Sequence, residues 1–283
     1  MHRVCILTDN TAQFPSDTFP GQELVHTIPL AIEWNGRQHF NSECLKLVDM
    51  PDTAANGQQP ILKPPCCQVL RKLAQSLCSR SHEAIAILST CYLTPGVTFV
   101  EGLAETVRGQ AAIRVIDSHT TSIGLGLIVQ QAALAAAQGM PATEIVHQLN
   151  EIIPRVYTLF FTQNMSYLYP AGILDPGQAL TGEMLRIMPL MILENGQPIF
   201  TCKIRSARHL TDVLHDFIIE FIDPEYIGLI QGRHSYRSAI RNLMSRLFNV
   251  YPYTVFKQSE LSPLLATIFG PGSFGLVVLE RKT

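Results

Sequence analysis

Three apolar runs in the first half of the chain end in residues able to do acid–base or hydrogen-bonding chemistry. The run from Val4 ends in Thr8-Asp9, Ala84 to Leu88 ends in Ser89-Thr90, and Ala112 to Ile116 ends in Asp117-Ser118. Brought to one edge, Asp9 and Asp117 would form a carboxylate pair, with one pKa raised and suited to proton transfer. That chemistry fits a small-molecule phosphotransferase or hydrolase. The structural alternative is that these carboxylates and hydroxyls cap the following helices and anchor their loops. His119 beside Asp117 and Ser118 has the residue types of a triad, but three consecutive residues do not converge as triad members do. Gly124-Leu125-Gly126 lacks the third glycine of a dinucleotide fingerprint, and neither a GxxxxGK[ST] loop nor a GxSxG elbow occurs. The densest glycine cluster is Gly270-Pro271-Gly272-Ser273-Phe274-Gly275. It reads either as a tight turn between two strands or as backbone approaching a ligand closely.

The elements that must position these groups follow from periodicity. Each apolar run is followed by a loop and a helical pattern: Val69, Leu70, Leu73 and Leu77, then Leu125 to Gln138 closed by Gly139, then Ile145, Val146, Leu149, Ile152 and Ile153 on one face. Strand–helix alternation gives a parallel sheet covered by helices, with ligands at the carboxyl ends of its strands. Near Ile153-Pro154 the texture changes. Val156 to Thr162 reads as a strand, and Ile187 to Leu193 with Pro198 to Lys203 reads as a hairpin around Asn195-Gly196. A helix over Ala207 to Phe221, a strand near Tyr226 to Ile230 and a helix near Tyr236 to Leu247 follow. Strands are expected near Pro252 to Phe256, Leu264 to Ile268 and Leu276 to Leu279. The fold class is therefore α/β, with a helix-covered parallel sheet over residues 1–155 and a mixed α+β domain over 156–283.

Composition narrows the function. Of 283 residues, 47% are hydrophobic and 16% charged, against about 25% charged in an average chain. Net charge is -2 and no long basic cluster occurs, so a nucleic-acid partner is not expected. No run approaches the length of a membrane span, and the amino terminus lacks a signal-peptide core, which points to the cytoplasm. The seven cysteines are odd in number. Cys5, Cys78, Cys91 and Cys202 sit in apolar runs like core residues, and Cys66-Cys67 lacks metal or redox spacing. Neither metal nor cofactor is expected.

Five ordered segments resemble the DegV family of bacterial fatty-acid-binding proteins. Thr8-Asp9-Asn10-Thr11-Ala12-Gln13-Phe14-Pro15 is similar to the family's TDSTADLP. Thr27-Ile28-Pro29-Leu30-Ala31-Ile32 is similar to its VVPLxI strand. Val115-Ile116-Asp117-Ser118 with Ser122, Gly124 and Gly126 resembles VIDSxxxSxGxG. Ala171-Gly172 through Leu180, Gly182, Leu185 and Pro189 resembles GGRIS…G…L…KP, and Gly270-Pro271-Gly272 with Gly275 resembles HxGPGxxG. The resemblance implies a Rossmann-like α/β domain over residues 1–155, a smaller α+β domain over 156–283, and a long-chain fatty acid in an interdomain tunnel. It also implies a carrier that presents this acid to a separate fatty-acid kinase, so that phosphoryl transfer lies on the partner. A lipid sensor without carrier duty is the third reading beside carrier and enzyme.

The chain is a divergent member by this comparison. The family's TSQPS falls on Leu62-Lys63-Pro64-Pro65-Cys66, and its LSSxLSGT loop on Leu88-Ser89-Thr90 and Leu93-Thr94-Pro95-Gly96 with one extra residue among Cys91-Tyr92. The family arginine falls on Ile173 and the histidine before GPG on Ile268. A buried carboxylate needs charge or hydrogen bonds, so Lys63 is expected to meet the head group. Ser89, Thr90, Thr94 and Ser118 would supply hydroxyls, with Gly270 and Gly272 at the close-approach turn. A sixteen-carbon tail with about 15 buried carbons gains on the order of 12 kcal/mol before association costs. Its expected walls are Leu159, Phe160 or Phe161, Met165, Ile173, Leu185, Met188, Ile268 and Phe269, with Met165, Met184 and Met188 as a deformable surface.

Overall fold

The computed structural model describes residues 4–39, 45–54, 59–65, 68–69, 72–75, 83–233 and 236–282. Its first sheet has strands β1 (Cys5–Asp9), β2 (Val25–Ile28), β6 (Glu83–Leu88) and β7 (Ala112–Asp117) in the order β2-β1-β6-β7, all parallel. The central strands are apolar on both faces because helices cover both. On one face Cys5, Leu7, Ala84, Ala86 and Leu88 pack with Val100 and Leu103 of helix α1 (Gly96–Thr106). On the other, Ile6, Ile85 and Ile87 pack with Ile123, Leu125, Ile128 and Val129 of α2 (Ser122–Ala137).

Helix α2 is apolar almost all round, as a helix buried on every side must be. It touches β1 and β6 on one side, and β8 (Val156–Phe161) and β13 (Phe274–Glu280) of a second sheet on the other. Its glycine pair serves this packing. A Cβ on Gly126 would stand 2.2 Å from the Gln13 carbonyl oxygen and one on Gly124 2.3 Å from Thr120 Oγ1, so the Gly-x-Gly spacing records close approach to backbone at one glycine and to side chains at the other. Helix α3 (Ala142–Ile152) adds Ile145, Leu149 and Ile152 to the same core.

The second sheet has six strands in the order β10-β9-β8-β13-β11-β12. β9 (Met188–Glu194) and β10 (Gln197–Ile204) form the expected hairpin, with Asn195 at φ 48° and Gly196 at φ 84° in its two-residue turn. β11 (Pro224–Gln231) and β12 (Val255–Glu260) are parallel, joined through helix α6 (Arg237–Val250). Helix α5 (Ala207–Ile219) and α6 cover the outer face. A small antiparallel sheet, β4-β3-β5, is built from β3 (Ala31–Trp34), β4 (Arg37–His39) and β5 (Ile61–Lys63). Helix α4 (Pro176–Met184) lies between β8 and β9 in the chain.

Several sequence expectations are corrected. Leu264 to Ile268 is not a strand but helix α7 (Pro263–Phe269), capped by Ser262, whose hydroxyl accepts from Leu265 N at 3.3 Å. A short apolar run carries no usable period when every side is buried. The Gly270 cluster consequently joins a helix to a strand, not two strands. The strand expected from Pro252 begins at Val255. The segment Thr27 to Ile32 is two strands in different sheets, broken at Pro29, which has no N–H for a ladder. Asn10 completes that break: its Nδ2 donates to Leu30 O at 3.1 Å and its Oδ1 accepts from Leu30 N at 2.9 Å. Cys5 is buried as expected, but Cys91 is exposed. Residues 68–69 and 72–75 are helical, whereas Cys66, Cys67, Leu70, Leu77 and Cys78 lie outside the described residues.

Candidate functional site

The strand ends converge, and they use one another's polar groups. Asp9 is fully buried. Its Oδ1 accepts from Thr11 N at 3.0 Å and from the Thr11 hydroxyl, and its Oδ2 accepts from Ser89 N at 2.8 Å. Burial pushes its carboxyl above the ordinary range, the Thr11 and Ser89 hydrogen bonds oppose that, and nearby Asp117 adds to it. Asp117 accepts from Cys91 N at 3.0 Å and from His119 N at 2.8 Å. The Ser118 and Ser89 hydroxyls donate to Thr120 O at 3.2 and 3.4 Å. Ser118 therefore does not address His119, which is no triad geometry. These groups fasten the β1, β6 and β7 loops together, the anchoring role set out as the alternative to acid–base chemistry.

In front of this knot lies a cavity of about 290 Å³. Both halves of the chain line it. Pro60, Ile61 and Leu62 come from the β5 edge, and residues 91–95 with Thr98 from the β6–α1 loop and first turn of α1. Pro170 and Ala171 come from the loop before α4, and Thr267 and Ile268 from α7. Its lining mixes apolar side chains with polar groups, among them Thr94 and Thr98 at the start of α1. There the Thr94 hydroxyl accepts from Gly96 N at 3.4 Å. The first-turn N–H groups of Val97 and Thr98 have no intrahelical acceptor, as at any helix N-terminus. An anion is favoured at such a point by donors and dipole together.

The expected site residues divide on this geometry. Thr94 and Ile268 line the cavity. Gly270 (φ 89°) and buried Gly272 lie just beyond Ile268 and Phe269, and a Cβ on Gly270 would stand 3.1 Å from the Tyr167 ring. Ile173 packs on the adjoining core two residues from Ala171. Ser89, Thr90 and Ser118 sit behind the cavity and do not line it. Lys63 sits on β5 beside Glu33, its Nζ 3.6 Å from Glu33 Oε2, with both side chains close to half exposed. The cation already has a carboxylate, diagonally across the β3–β5 pair.

Strand alternation separates the expected wall. Along β8, Val156 and Phe160 belong to the core shared with α2, whereas Leu159 and Phe161 belong to the core under α5 and α6. Met188 falls with Phe161 on that outer face, so neither is near the cavity. Met165 is buried, while Met184 and Leu185 are 77% and 61% exposed and form no inner wall. Among the lining residues that the sequence reading did not single out are Leu62, Tyr92, Thr98, Pro170, Ala171 and Thr267. Thr98 had a signal, since it stands one helical turn beyond Thr94. Thr267 lies in α7, the helix misread as a strand, and the others come from loops and edges without periodicity.

Comparison with known proteins fits this architecture. The DegV family profile, described as uncharacterised protein, matches residues 3–281. A DegV domain-containing protein of Caldanaerobacter subterraneus subsp. tengcongensis is 25% identical over 286 residues, covering 99% of this chain and all of that one. A DegV family protein from Thermus thermophilus, described by its fatty acid binding, superposes with a TM-score of 0.82 at 19% identity, over 99% of this chain and 100% of that one. The Fatty Acid Kinase (Fak) B3 protein of Streptococcus pneumoniae, loaded with linoleic acid, superposes with a TM-score of 0.80 at 16% identity, over 98% and 99%. Among the described residues, no helix is long and apolar enough to cross a membrane, and no group of three metal-ligating side chains gathers.

Proposed function

Since the chain belongs to the DegV family, we propose that it binds one long-chain fatty acid between its two units, residues 1–155 and 156–283. The observation that carries this reading is the cavity at the start of α1, which has hydroxyl and backbone donors at one end and Leu62, Leu93 and Ile268 along its walls. The carboxylate takes the Thr94 hydroxyl and the first-turn N–H groups of α1. The tail runs inward past Ile268. Lys63 stays with Glu33. A fatty acid held this way owes most of its affinity to the tail, at about 0.8 kcal/mol per buried methylene.

The protein acts as a cytoplasmic carrier, and the likeness to the streptococcal kinase-associated protein supports presentation to a fatty-acid kinase. The chemistry then belongs to the partner. Asp9 is sealed from solvent and both Asp117 oxygens are engaged by backbone donors, which disfavours the phosphotransferase and hydrolase readings. Native mass spectrometry of the purified chain tests binding. A retained mass of roughly 250–300 Da supports it, and protein that stays empty after incubation with fatty acids overturns it. Adding a fatty-acid kinase and ATP separates carrier from sensor, because acyl phosphate forms only from a presented acid.

A further inference from the structure

The loop that offers Thr94 to the cavity is fastened at a point outside it. Thr90 is the node. Its backbone oxygen accepts from Leu93 N at 3.0 Å and Thr94 N at 3.1 Å, and its N–H donates to Thr120 O at 2.9 Å. Its hydroxyl accepts from Tyr92 N at 3.4 Å and donates to the Gly196 carbonyl at 3.0 Å. Both roles of the hydroxyl are used, and the side chain is fully buried.

Gly196 belongs to the other half of the chain, at the tip of the β9–β10 hairpin. The contact leaves no room for a side chain, because a Cβ on Gly196 would stand 2.3 Å from Thr90 Oγ1 and 3.2 Å from His119 Cα. The two-residue turn at Asn195-Gly196 is a stiff support, so the carbonyl is presented from a fixed place. An irregular loop such as 89–95 is otherwise costly to order, and a donor ordered beforehand binds more tightly than one ordered on contact.

We infer that Thr90 and the Gly196 carbonyl together position Thr94 for the ligand's carboxylate, making the hairpin tip a working part of the head-group site without ligand contact. Thr90 is thus a positioning residue and does not itself meet the lipid. The inference rests on the fatty-acid reading above and adds to it a requirement for the second sheet.

The test compares a fluorescent polyene fatty acid with its methyl ester on delipidated full-length protein. The two share a tail and differ in the head group. Thr90→Val keeps the side-chain shape and removes both hydroxyl bonds, so it should bind the acid roughly 3- to 10-fold more weakly while ester affinity stays within about twofold. Thr90→Ser should restore the acid, and Gly196→Ala should reproduce the acid-selective loss from the other side of the contact. Should Thr90→Val fail to fold, Thr90→Ala carries the same comparison. Equal weakening of acid and ester, or no weakening of the acid in a folded variant, overturns the inference. A wild type that binds neither probe overturns the fatty-acid reading and the inference together, so the two failures are distinguishable.

Discussion

Phe269 stacks on Phe160 with ring centroids 4.1 Å apart and planes 12° from parallel. The pair joins α7, which carries Ile268 into the cavity, to the inner face of β8. The Phe269 carbonyl oxygen accepts from the Thr162 hydroxyl at 2.5 Å and from the Ser273 hydroxyl. The end of α7 is thereby fixed to the sheet by side chain and backbone at once. Phe269→Ala should cost about 3–5 kcal/mol in denaturant unfolding, whereas Phe248→Ala, at a half-exposed ring, should cost far less. Equal costs would show that the stack does not hold α7.

Thr94 and Lys63 make opposite predictions. Thr94→Val should weaken binding of a long-chain fatty acid on the order of tenfold, the loss expected for one hydrogen bond to a charged group. Lys63→Ala should leave it within about twofold, because the ammonium is paired with Glu33 and partly solvated. Calorimetric titration of both variants checks this, and a large loss at Lys63 would return the head group to that residue.

Ile268 is 2% exposed and borders the cavity. Ile268→Trp should fill the space and abolish fatty-acid retention in native mass spectrometry, with a stability loss of about 1–3 kcal/mol from overpacking. Retention at the wild-type level would place the acyl chain elsewhere.

Asp9 gives a pH signature. Burial raises its folded-state pKa above the ordinary 3.8. The folded protein therefore holds this proton more tightly than the unfolded chain. The resulting stabilisation is complete below pH 3.8 and is lost as pH rises through the folded pKa. In Asp9→Asn that component disappears, and the amide also opposes the Ser89 and Thr11 donors. The variant should be less stable at neutral pH by about 1–3 kcal/mol, with the gap changing across the acid range. A gap independent of pH would mean that Asp9 does not titrate differently on folding.

Gly126→Ala should destabilise the fold by about 2 kcal/mol or more, since the new carbon meets the Gln13 backbone and cannot turn away. Thermal unfolding measures it. An unchanged melting temperature would remove the packing account of the Gly-x-Gly pair.

The order of elements through most of the chain was legible in the sequence. The three strands ending in Asp9, Ser89-Thr90 and Asp117-Ser118, the apolar helix from Leu125 and the Asn195-Gly196 hairpin are local patterns, written in periodicity and turn chemistry. Family motifs added the lipid reading, and Thr94 and Ile268 do line the cavity. Where burial is complete on all sides the pattern is silent, and so Leu264 to Ile268 read as a strand although it is a helix.

Tertiary structure alone decided which groups meet. Phe160 and Phe161 are equivalent by type, and only the pairing of β8 with β9 and β13 sends one towards α2 and the other towards α5. Lys63 stands beside Glu33 because β5 pairs with β3 in one register. The Thr90 hydroxyl donates to a carbonyl 106 residues away. Residue type and spacing determine what a segment becomes. Which hydroxyl, carboxylate or ring faces the cavity is a matter of long-range packing, which no local pattern encodes.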